Sequence, residues 1–354
     1  MKKGVIISCG IIILILFFSA GYYVWGLGSK SKDSSDVTFI ISAGTSKKTI
    51  AKNLANAGLI RSEIALDVYL YFAKSNIQAG EYTLNASMTP KEMINKFSTG
   101  DITIHSETVT IIEGKRITDY ASALSEKLDF TKEEFLSVVN DEEFLNSLIN
   151  SGEYSFLTND ILNSDLYYPL EGYLYPDTYE FLDNATPESV IKTMLNHTKL
   201  KLDEVTELIN NSGLSIHQVL TMASLVEKEA NSDTDREKVA QVFFKRISDN
   251  MPLGSDVTTY YGVGKEMGDV LTINDLNDSN PYNTRLTDGT MNGKLPIGPI
   301  CNASISSIKA VLNKSDTNYT YFVANTCTGE VFFQEDYQEF LSKVAELQSL
   351  CATN

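Results

Sequence analysis

A long apolar run near the amino terminus constrains the fold of this chain more than any other feature. Val5–Trp25 has no charged residue, follows Lys2 and Lys3, and ends in a cluster of aromatic side chains. This length and the aromatic cluster are typical of a helix that crosses a bilayer, and the run exceeds the usual core of a signal peptide. Positive charge before the run places the amino terminus in the cytoplasm. We therefore predict an uncleaved, single-pass membrane helix within residues 1–27, with the rest of the chain outside the cell membrane.

Charge and composition exclude several classes of partner and cofactor. The 354 residues have a net charge of -17, which argues against binding to nucleic acid or to an anionic membrane surface. The three histidines lack metal-ligand spacing and no phosphate-binding glycine motif is present, so we expect neither a metal nor another cofactor. A disulfide between Cys301 and Cys327 is compatible with an oxidising compartment, but the sequence does not establish it.

One stretch, Ser215–Asn231, has every local signal of a helix. Ser215 and Gln218 have capping-box spacing, which predicts the start of the helix. Apolar residues then recur at helical spacing for about four turns. Turn-forming residues from Asn231 onward predict the end of the helix.

Two carboxyl groups, those of Glu227 and Glu229, lie at the end of this predicted helix. A carboxylate in the last turn faces the negative end of the helix dipole, which raises its pKa and suits a general acid. Glu229 follows apolar residues three, four and seven positions earlier, whereas Glu227 projects nearer the apolar stripe and would need a buried partner. Periodicity alone does not choose between the two, and a solvated helix end fits the same pattern.

The remaining chain divides into segments of different composition. Residues 28–36 form a polar, serine-rich spacer that would lift the next domain off the membrane. Residues 37–103 predict a compact βααβ module with a closing helix. Residues 104–160 begin with an alternating strand and continue in amphipathic helices, which we interpret as a connecting subdomain. Residues 161–354 form the largest domain, and the predicted fold class is α+β.

Two stretches of the largest domain are unusual. Residues 167–181, YYPLEGYLYPDTYEF, combine aromatic and acidic side chains. Such mixtures favour a carbohydrate site, because rings stack on sugars and carboxylates accept hydrogen bonds from hydroxyls, although an aromatic core corner has the same composition. Residues 253–262, LGSDVTTYYG, predict a loop that leads into a short strand. A hairpin from Tyr319 to Gln334 and a closing helix from Asp336 to Leu350 are predicted to follow.

Seven motifs, taken in order, resemble one known family. They are YPLEGYLYPDTYEF, ASLVEKEA, DREKVAQVFFKRI, LGSDVTTYYG, PYNTR, LPIGPICNAS and YFVANTCTGEVFF. Together they resemble the YceG-like endolytic murein transglycosylases, the MltG family, over essentially the whole chain. By this resemblance, residues 37–103 look like the family's LysM-like module. Such enzymes cleave peptidoglycan glycan strands between MurNAc and GlcNAc without hydrolysis and leave 1,6-anhydroMurNAc ends.

The resemblance also implies roles for individual residues. The acid of the family corresponds to the second glutamate of the Glu-Lys-Glu, Glu229. One carboxyl group suffices, because the substrate's own 6-hydroxyl closes onto the anomeric carbon in place of water. Residues that line the glycan cleft in similar proteins correspond to Glu171, Asp256, Tyr260, Asn283 and Thr284. Turn capping is an equally good interpretation of Asp256 and Asn283.

The chain departs from the family pattern at three positions. Glu330 stands where the family commonly has a histidine, Arg285 replaces the tyrosine of Tyr-Asn-Thr-Tyr, and Ile297 replaces the second proline of a Leu-Pro-Pro-Gly turn. These changes affect substrate contacts rather than the predicted acid. Peptidoglycan is the expected partner, and cell-wall synthases are candidate protein partners.

Two other functions are compatible with the same residues. The first is a catalytically silent peptidoglycan-binding or scaffold protein of the cell-wall synthesis machinery, which the replaced histidine would favour. The second is a water-using muramidase, which needs a second carboxylate opposite Glu229 with room for a water molecule, and for which Asp256 and Glu171 are the candidates.

Overall fold

The chain has two compact units, residues 1–105 and 106–354. The computed structural model describes residues 2–41, 45–73, 75–100, 106–182, 184–325 and 327–351, and gives only the backbone of residues 2–9, 11–13 and 351. Each unit has its own cluster of buried apolar side chains. The predicted combination of helices and strands is confirmed, with many helices and small antiparallel sheets.

The first unit contains one helix followed by a small module. Its elements are α1 (Lys2–Gly26), β1 (Val37–Ile41), α2 (Lys47–Asn56), α3 (Glu63–Phe72), β2 (Gly80–Leu84) and α4 (Pro90–Thr99). The predicted order of strands and helices is therefore confirmed, and β1 pairs with β2 in antiparallel register, Val37 opposite Leu84. In the part of the chain that the structure describes, no helix meets the length and apolarity needed to cross a membrane. A membrane crossing by α1 therefore stays a prediction.

The segment after α1 lies against the module and does not extend away from it. Ser29 forms an isolated antiparallel bridge with Ile60, and the Ser31 N–H donates to the carbonyl of Ala86 at 3.0 Å. At the end of α1, the Tyr22 hydroxyl lies 3.0 Å from the hydroxyl of Ser62. Backbone pairing therefore holds the start of the polar spacer on the module. That residues 28–36 lift the module off the membrane stays a prediction.

The second unit is mostly helical and carries two small sheets. Its elements are β3 (Ser106–Thr110), α5 (Ile117–Ser125), α6 (Lys132–Val139), α7 (Glu142–Asn150), a 3₁₀ turn (Asn159–Leu162), β4 (Thr178–Leu182), α8 (Pro187–Asp203), α9 (Thr206–Ser212), α10 (Ile216–Glu229), α11 (Asp233–Ser248), α12 (Asp256–Gly262), α13 (Ile273–Leu276), α14 (Ile305–Leu312), β5 (Tyr321–Ala324), β6 (Val331–Gln334) and α15 (Tyr337–Cys351). The predicted hairpin is confirmed, because β5 pairs antiparallel with β6.

One antiparallel pair joins distant parts of the second unit. β3 pairs with β4, with Ser106 opposite Leu182 and Thr110 opposite Thr178. Buried side chains from the helices after β3, such as Ile117 and Phe135, belong to the same core as those of α10. Residues on both sides of position 160 therefore share one hydrophobic core.

Helix α10 is the centre of the second unit. The capping box is confirmed: the Ser215 N–H donates to Gln218 Oε1 at 2.9 Å, and the Gln218 N–H donates to Ser215 Oγ at 3.1 Å. All eight residues from Val219 to Val226 are buried, so the helix is covered on every side rather than along one stripe. It packs against α11, α12 and α14. The end of α10 is consequently held by three neighbouring helices.

The prediction of a loop and short strand at residues 253–262 is wrong. Residues Asp256–Gly262 form helix α12, although β-branched and aromatic residues favour strands. Val257, Thr258 and Tyr261 are buried within the unit. Tertiary packing has overridden local propensity here, because only a helix turns these three side chains inward together.

Candidate active site

The predicted acid, Glu229, is the last residue of α10 and is half-buried. The Ser255 hydroxyl donates a hydrogen bond to Glu229 Oε1 at 2.5 Å. Among the described residues, none forms a hydrogen bond with the other oxygen, Oε2. One oxygen of the carboxyl group is therefore held by the protein, and the second is left for a ligand.

The surroundings of Glu229 favour its neutral form. Burial raises the pKa of Glu229, and the nearby carboxylate of Asp256 acts in the same direction. The Ser255 hydrogen bond and the guanidinium groups of Arg246 and Arg285 act in the opposite direction. The net shift is upward, so a proton is retained at higher pH than on an ordinary glutamate. This is the property that a general acid requires.

The neighbouring carboxylate, that of Glu227, has a structural role. It accepts hydrogen bonds from the Ser304 N–H at 2.9 Å, the Ser304 hydroxyl at 2.5 Å and the Ser307 hydroxyl at 2.7 Å. It also forms an ion pair with Arg236 at 3.3 Å, and its side chain is only 5% exposed. The expectation that Glu227 needs a partner is confirmed. Its bonds hold the start of α14 against α10.

The loop that carries Ser255 is positioned by Thr284. The Ser255 N–H donates to Thr284 Oγ1 at 3.2 Å, and the Gly254 N–H donates to the Thr284 carbonyl at 3.0 Å. The hydroxyls of Thr258 and Thr284 lie 2.9 Å apart. Thr284 is completely buried. It therefore acts on Glu229 through Ser255 and is not presented to a ligand.

Two arginines bring positive charge to the same carboxyl group. Arg285 pairs with Asp256 at 2.6 Å, and both side chains are substantially exposed. Arg246 donates to the carbonyls of Thr320 at 2.8 Å and Leu253 at 2.6 Å. Burial lowers the pKa of Arg246. The site therefore combines a half-buried acid, an exposed ion pair and a second, anchored guanidinium group.

A small polar cavity is lined in part by Lys228 and Val257, the residues next to Glu229 and Asp256 in the sequence. Its volume is about 210 Å³, and its lining includes Lys228, Val257 and Arg116. The Lys228 ammonium donates to the carbonyl of Gly114 at 3.3 Å. The cavity therefore adjoins the acid in sequence but is not lined by Glu229 itself.

Asn283 and Tyr260 differ in their exposure and in their hydrogen-bond partners. Asn283 is completely buried, and its amide donates to the carbonyls of Leu276 at 3.1 Å and Asp278 at 2.8 Å. Tyr260 is half-buried, and its hydroxyl donates to the carbonyl of Asp269 at 2.8 Å. Asn283 is thus committed to the loop before it, whereas part of the Tyr260 ring is accessible.

The side chain of Glu171 lies against the start of α5, and the residue is only 1% exposed. It accepts hydrogen bonds from the Ile117 N–H at 3.0 Å, the Asn302 amide at 2.9 Å and the Tyr261 hydroxyl at 3.2 Å. Burial raises its pKa to about 8, although hydrogen bonds from Ile117 and Tyr261 favour the ionised form. Glu171 joins three segments inside the unit and offers no surface to a glycan.

Comparison with known proteins identifies the family of the chain. Residues 39–346 match the YceG-like family. The chain belongs to the YceG-like family. It is 37% identical over 325 residues to an endolytic murein transglycosylase of Bacillus subtilis, which covers 90% of this chain and 88% of that protein. An endolytic murein transglycosylase of Streptococcus pneumoniae is 29% identical over 97% of this chain and 65% of that protein.

A solved YceG-like structure supports the same assignment. A putative YceG-like protein from Listeria monocytogenes, solved by crystallography at 2.6 Å, superposes with a TM-score of 0.61 and 33% identity. The match covers 87% of this chain and 98% of that one. The family assignment therefore rests on both sequence and fold.

Two side chains of this YceG-like site were missed by sequence reasoning. Ser255 precedes α12 at the N-cap position, but its hydroxyl makes no capping bond and is used on Glu229 instead. Arg246 lies near the end of α11, where a basic residue is unremarkable. No local signal indicated either contact, because both depend on how α10, α11 and the loop before α12 pack together.

Two further predictions concern the end of the YceG-like chain. Glu330, which replaces the family histidine, is exposed just before β6. The disulfide between Cys301 and Cys327 is absent, because Cys301 is a free, buried thiol whose Sγ lies 3.4 Å from the Ser224 carbonyl. The bridge that the sequence left open does not form, since Cys301 is buried as a free thiol.

Proposed function

We propose that this chain is an endolytic murein transglycosylase that cleaves peptidoglycan glycan strands between MurNAc and GlcNAc, with Glu229 as the acid and then the base. The observation that carries the proposal is the state of Glu229: burial raises its pKa, Ser255 holds Oε1, and Oε2 is left for a ligand. The B. subtilis and S. pneumoniae relatives are endolytic murein transglycosylases, which supports the reaction class.

In the proposed reaction, Glu229 first donates a proton and then takes one from the substrate. Protonated Glu229 donates to the glycosidic oxygen, the bond from the anomeric carbon breaks, and the GlcNAc hydroxyl leaves. The Glu229 carboxylate then removes the proton of the 6-hydroxyl of MurNAc, whose oxygen bonds to the anomeric carbon. The product is 1,6-anhydroMurNAc, and Glu229 is protonated again. Because the nucleophile belongs to the substrate, proximity replaces a second carboxyl group.

The surrounding residues have different roles in this proposal. Asp256 is exposed beside Glu229 and ion-paired with Arg285, and we assign its carboxylate to the stabilisation of the oxocarbenium-like centre. Tyr260 offers a ring face to a sugar. Glu171, Asn283 and Thr284 are buried and bonded within the protein, so we assign them as positioning residues.

The location of the reaction is also part of the proposal. Helix α1 anchors the chain in the cell membrane with the amino terminus in the cytoplasm, and the rest of the first unit and the whole second unit lie outside, where peptidoglycan is made. The β1–α4 region serves as a LysM-like module that holds glycan. Cell-wall synthases, whose product is the substrate, are the protein partners that this location favours.

The test is product analysis of glycan digested with the full chain. Wild-type protein should release 1,6-anhydroMurNAc ends, detected by mass spectrometry, and Glu229→Gln should lower turnover by about 10²- to 10⁴-fold while leaving the circular dichroism spectrum unchanged. Glu227→Gln is the matched control. It should lower the melting temperature but retain turnover in the folded protein, because Glu227 anchors α14.

Other outcomes would refute parts of the proposal. Reducing ends in place of anhydro ends would identify a muramidase that uses water. Binding of glycan without turnover by the wild-type chain would identify a silent peptidoglycan-binding protein. Loss of turnover in Glu227→Gln, with Glu229→Gln still active, would move the acid to Glu227.

A further inference from the structure

Helix α3 of the first unit has an exposed apolar face. Ile64, Val68, Tyr71 and Phe72 are 66%, 42%, 84% and 77% exposed. Successive residues of an α-helix are turned by about 100°, so positions spaced by four, seven and eight lie on one side of the helix. The opposite side, with Leu66 and Leu70, is buried in the core of the module. We call the exposed set the outer face of α3.

The outer face is continuous with an apolar surface of α1. Gly26 at the end of α1 lies so close to α3 that an added Cβ would meet the Cβ of Ala65 at 2.5 Å. Ala65 is one position from Ile64 on the helix, next to the outer face. Phe17 and Phe18 on α1 are 75% and 76% exposed. Two apolar surfaces of the same unit thus adjoin where α1 meets α3.

Cations lie at both ends of the outer face, while α3 itself contains two acidic residues, Glu63 and Asp67. At the start of α3, the Arg61 guanidinium lies 5.6 Å from the ring centre of Trp25 and donates to the Trp25 carbonyl at 3.3 Å. At the end of α3, the Lys47 ammonium donates to the carbonyls of Leu70 at 3.4 Å and Ala73 at 3.0 Å. Apolar rings flanked by cations are the pattern of a helix that lies in a membrane interface.

The two units differ in the sign of their net charge, although the chain as a whole is acidic. Residues 28–105, which follow α1, contain 9 Lys and Arg against 7 Asp and Glu, a net charge of +2, whereas residues 106–354 have a net charge of -21. The overall acidity, which argued against an anionic membrane surface, is therefore a property of residues 106–354. The first unit has the charge that complements anionic lipid.

We propose that the outer face of α3 is a membrane-docking surface, which inserts Tyr71 and Phe72 among the headgroups of an anionic phospholipid bilayer. This contact is additional to α1 and does not require α1 to cross the bilayer. It holds the module flat on the lipid surface, consistent with the pairing of Ser29 and Ser31 to the module. An extended spacer would let the module move away.

The experiment places a single fluorophore on the outer face. The chain has one tryptophan, Trp25, so Trp25→Phe combined with Tyr71→Trp leaves a single indole at position 71. The full chain is reconstituted into phosphatidylglycerol-containing vesicles with brominated acyl chains. We expect emission from position 71 to be quenched by at least about twofold, because interfacial rings lie at the boundary of headgroups and acyl chains. The matched control, Tyr337→Trp in the same background, tests an exposed tyrosine of the second unit.

Further variants and vesicle compositions distinguish membrane docking from other causes of a change in emission. Adding Ile64→Gln, Val68→Gln and Phe72→Gln should abolish the quenching without changing the circular dichroism spectrum, because all three side chains are exposed. Zwitterionic vesicles should give weaker quenching. Absence of quenching at position 71 in folded protein would overturn the proposal, as would a blue-shifted emission that depends on protein concentration and not on bromine, since that identifies a second copy. Glu229→Gln should leave the quenching unchanged, so this test is independent of catalysis.

Discussion

At the scale of single residues, the site depends on two glutamates that are two positions apart and have opposite environments. Glu227 receives three hydrogen bonds and an arginine, whereas Glu229 receives one hydrogen bond from Ser255. Burial with few donors raises the pKa of Glu229, so this carboxyl group keeps its proton to higher pH than an ordinary glutamate. The structural and the catalytic candidate are thus separated by their partners and not by their positions in the helix.

The Ser255 hydrogen bond predicts a change in the pH–rate profile. Turnover requires protonated Glu229, so kcat/KM should fall as the pH rises through its pKa. The Ser255 hydroxyl lowers that pKa, so Ser255→Ala should move the descending limb of the profile to higher pH. Ser304→Ala, which removes a bond to Glu227 instead, should leave the limb in place. An unchanged limb in Ser255→Ala would separate Glu229 from the acid step.

The buried Glu171 predicts a pH-dependent stability. Its pKa is about 8 in the folded protein, against 4.5 for an ordinary glutamate, so the folded state keeps a proton that the unfolded state has lost. The free energy of unfolding should therefore fall as the pH rises through this window, by at most about 1.4 kcal/mol per pH unit. Glu171→Gln has no proton to lose and should flatten the profile. Urea unfolding at several pH values measures both, and identical slopes would contradict the shift.

At the scale of elements, local signals and packing disagree at α12 and agree at α10. The capping box of α10 forms as predicted, because it needs only residues three positions apart. Helix α12 replaces a predicted strand, because its buried residues face the core together. The short turn at Gly172 shows how such packing limits substitution, since a Cβ there would meet Pro299 at 2.4 Å.

Two glycines with the same backbone conformation predict different costs. Gly172 has φ +81° and Gly213 has φ +73°, but nothing lies within 4 Å of a Cβ added to Gly213. Gly213→Ala should cost about 1 kcal/mol of unfolding free energy from backbone strain alone. Gly172→Ala should cost roughly 1–3 kcal/mol more, because Pro299 must also move. Chemical denaturation compares them, and equal losses would show that the turn adjusts freely.

At the scale of the whole molecule, the chain has two hydrophobic cores and two opposite charges. Phe97 is completely buried in the first core, and Phe243 in the second. The first unit combines positive charge with an exposed apolar helix face, whereas the acidic second unit holds Glu229. The difference in net charge follows the division of the fold into two units.

Separate cores predict separate unfolding. Phe97→Ala and Phe243→Ala should each remove about 3–5 kcal/mol from one unit, by loss of buried area and creation of a cavity. Calorimetry should resolve two transitions, with Phe97→Ala lowering one and Phe243→Ala the other. Turnover should follow the transition that Phe243→Ala lowers. A single transition that both variants shift equally would mean that the units unfold as one.

The sequence by itself determined the features that depend on neighbours in the chain. The start of α10, the βααβ order of the module, the β5–β6 hairpin and the family resemblance all follow from short-range spacing and motif order. The choice of Glu229 as the acid also came from the end of a helix and from that resemblance, and it stays a prediction.

Only the tertiary structure decided which distant residues meet. Ser255 reaches Glu229 across 26 positions, and Thr284 supports Ser255 across 29. Packing also buried Asn283 and Thr284, left Cys301 as a free thiol, and left the outer face of α3 uncovered. The physical reason is range: caps and periodicity act within a few residues, whereas burial and the pKa of an acid depend on everything that the fold brings within a few ångströms.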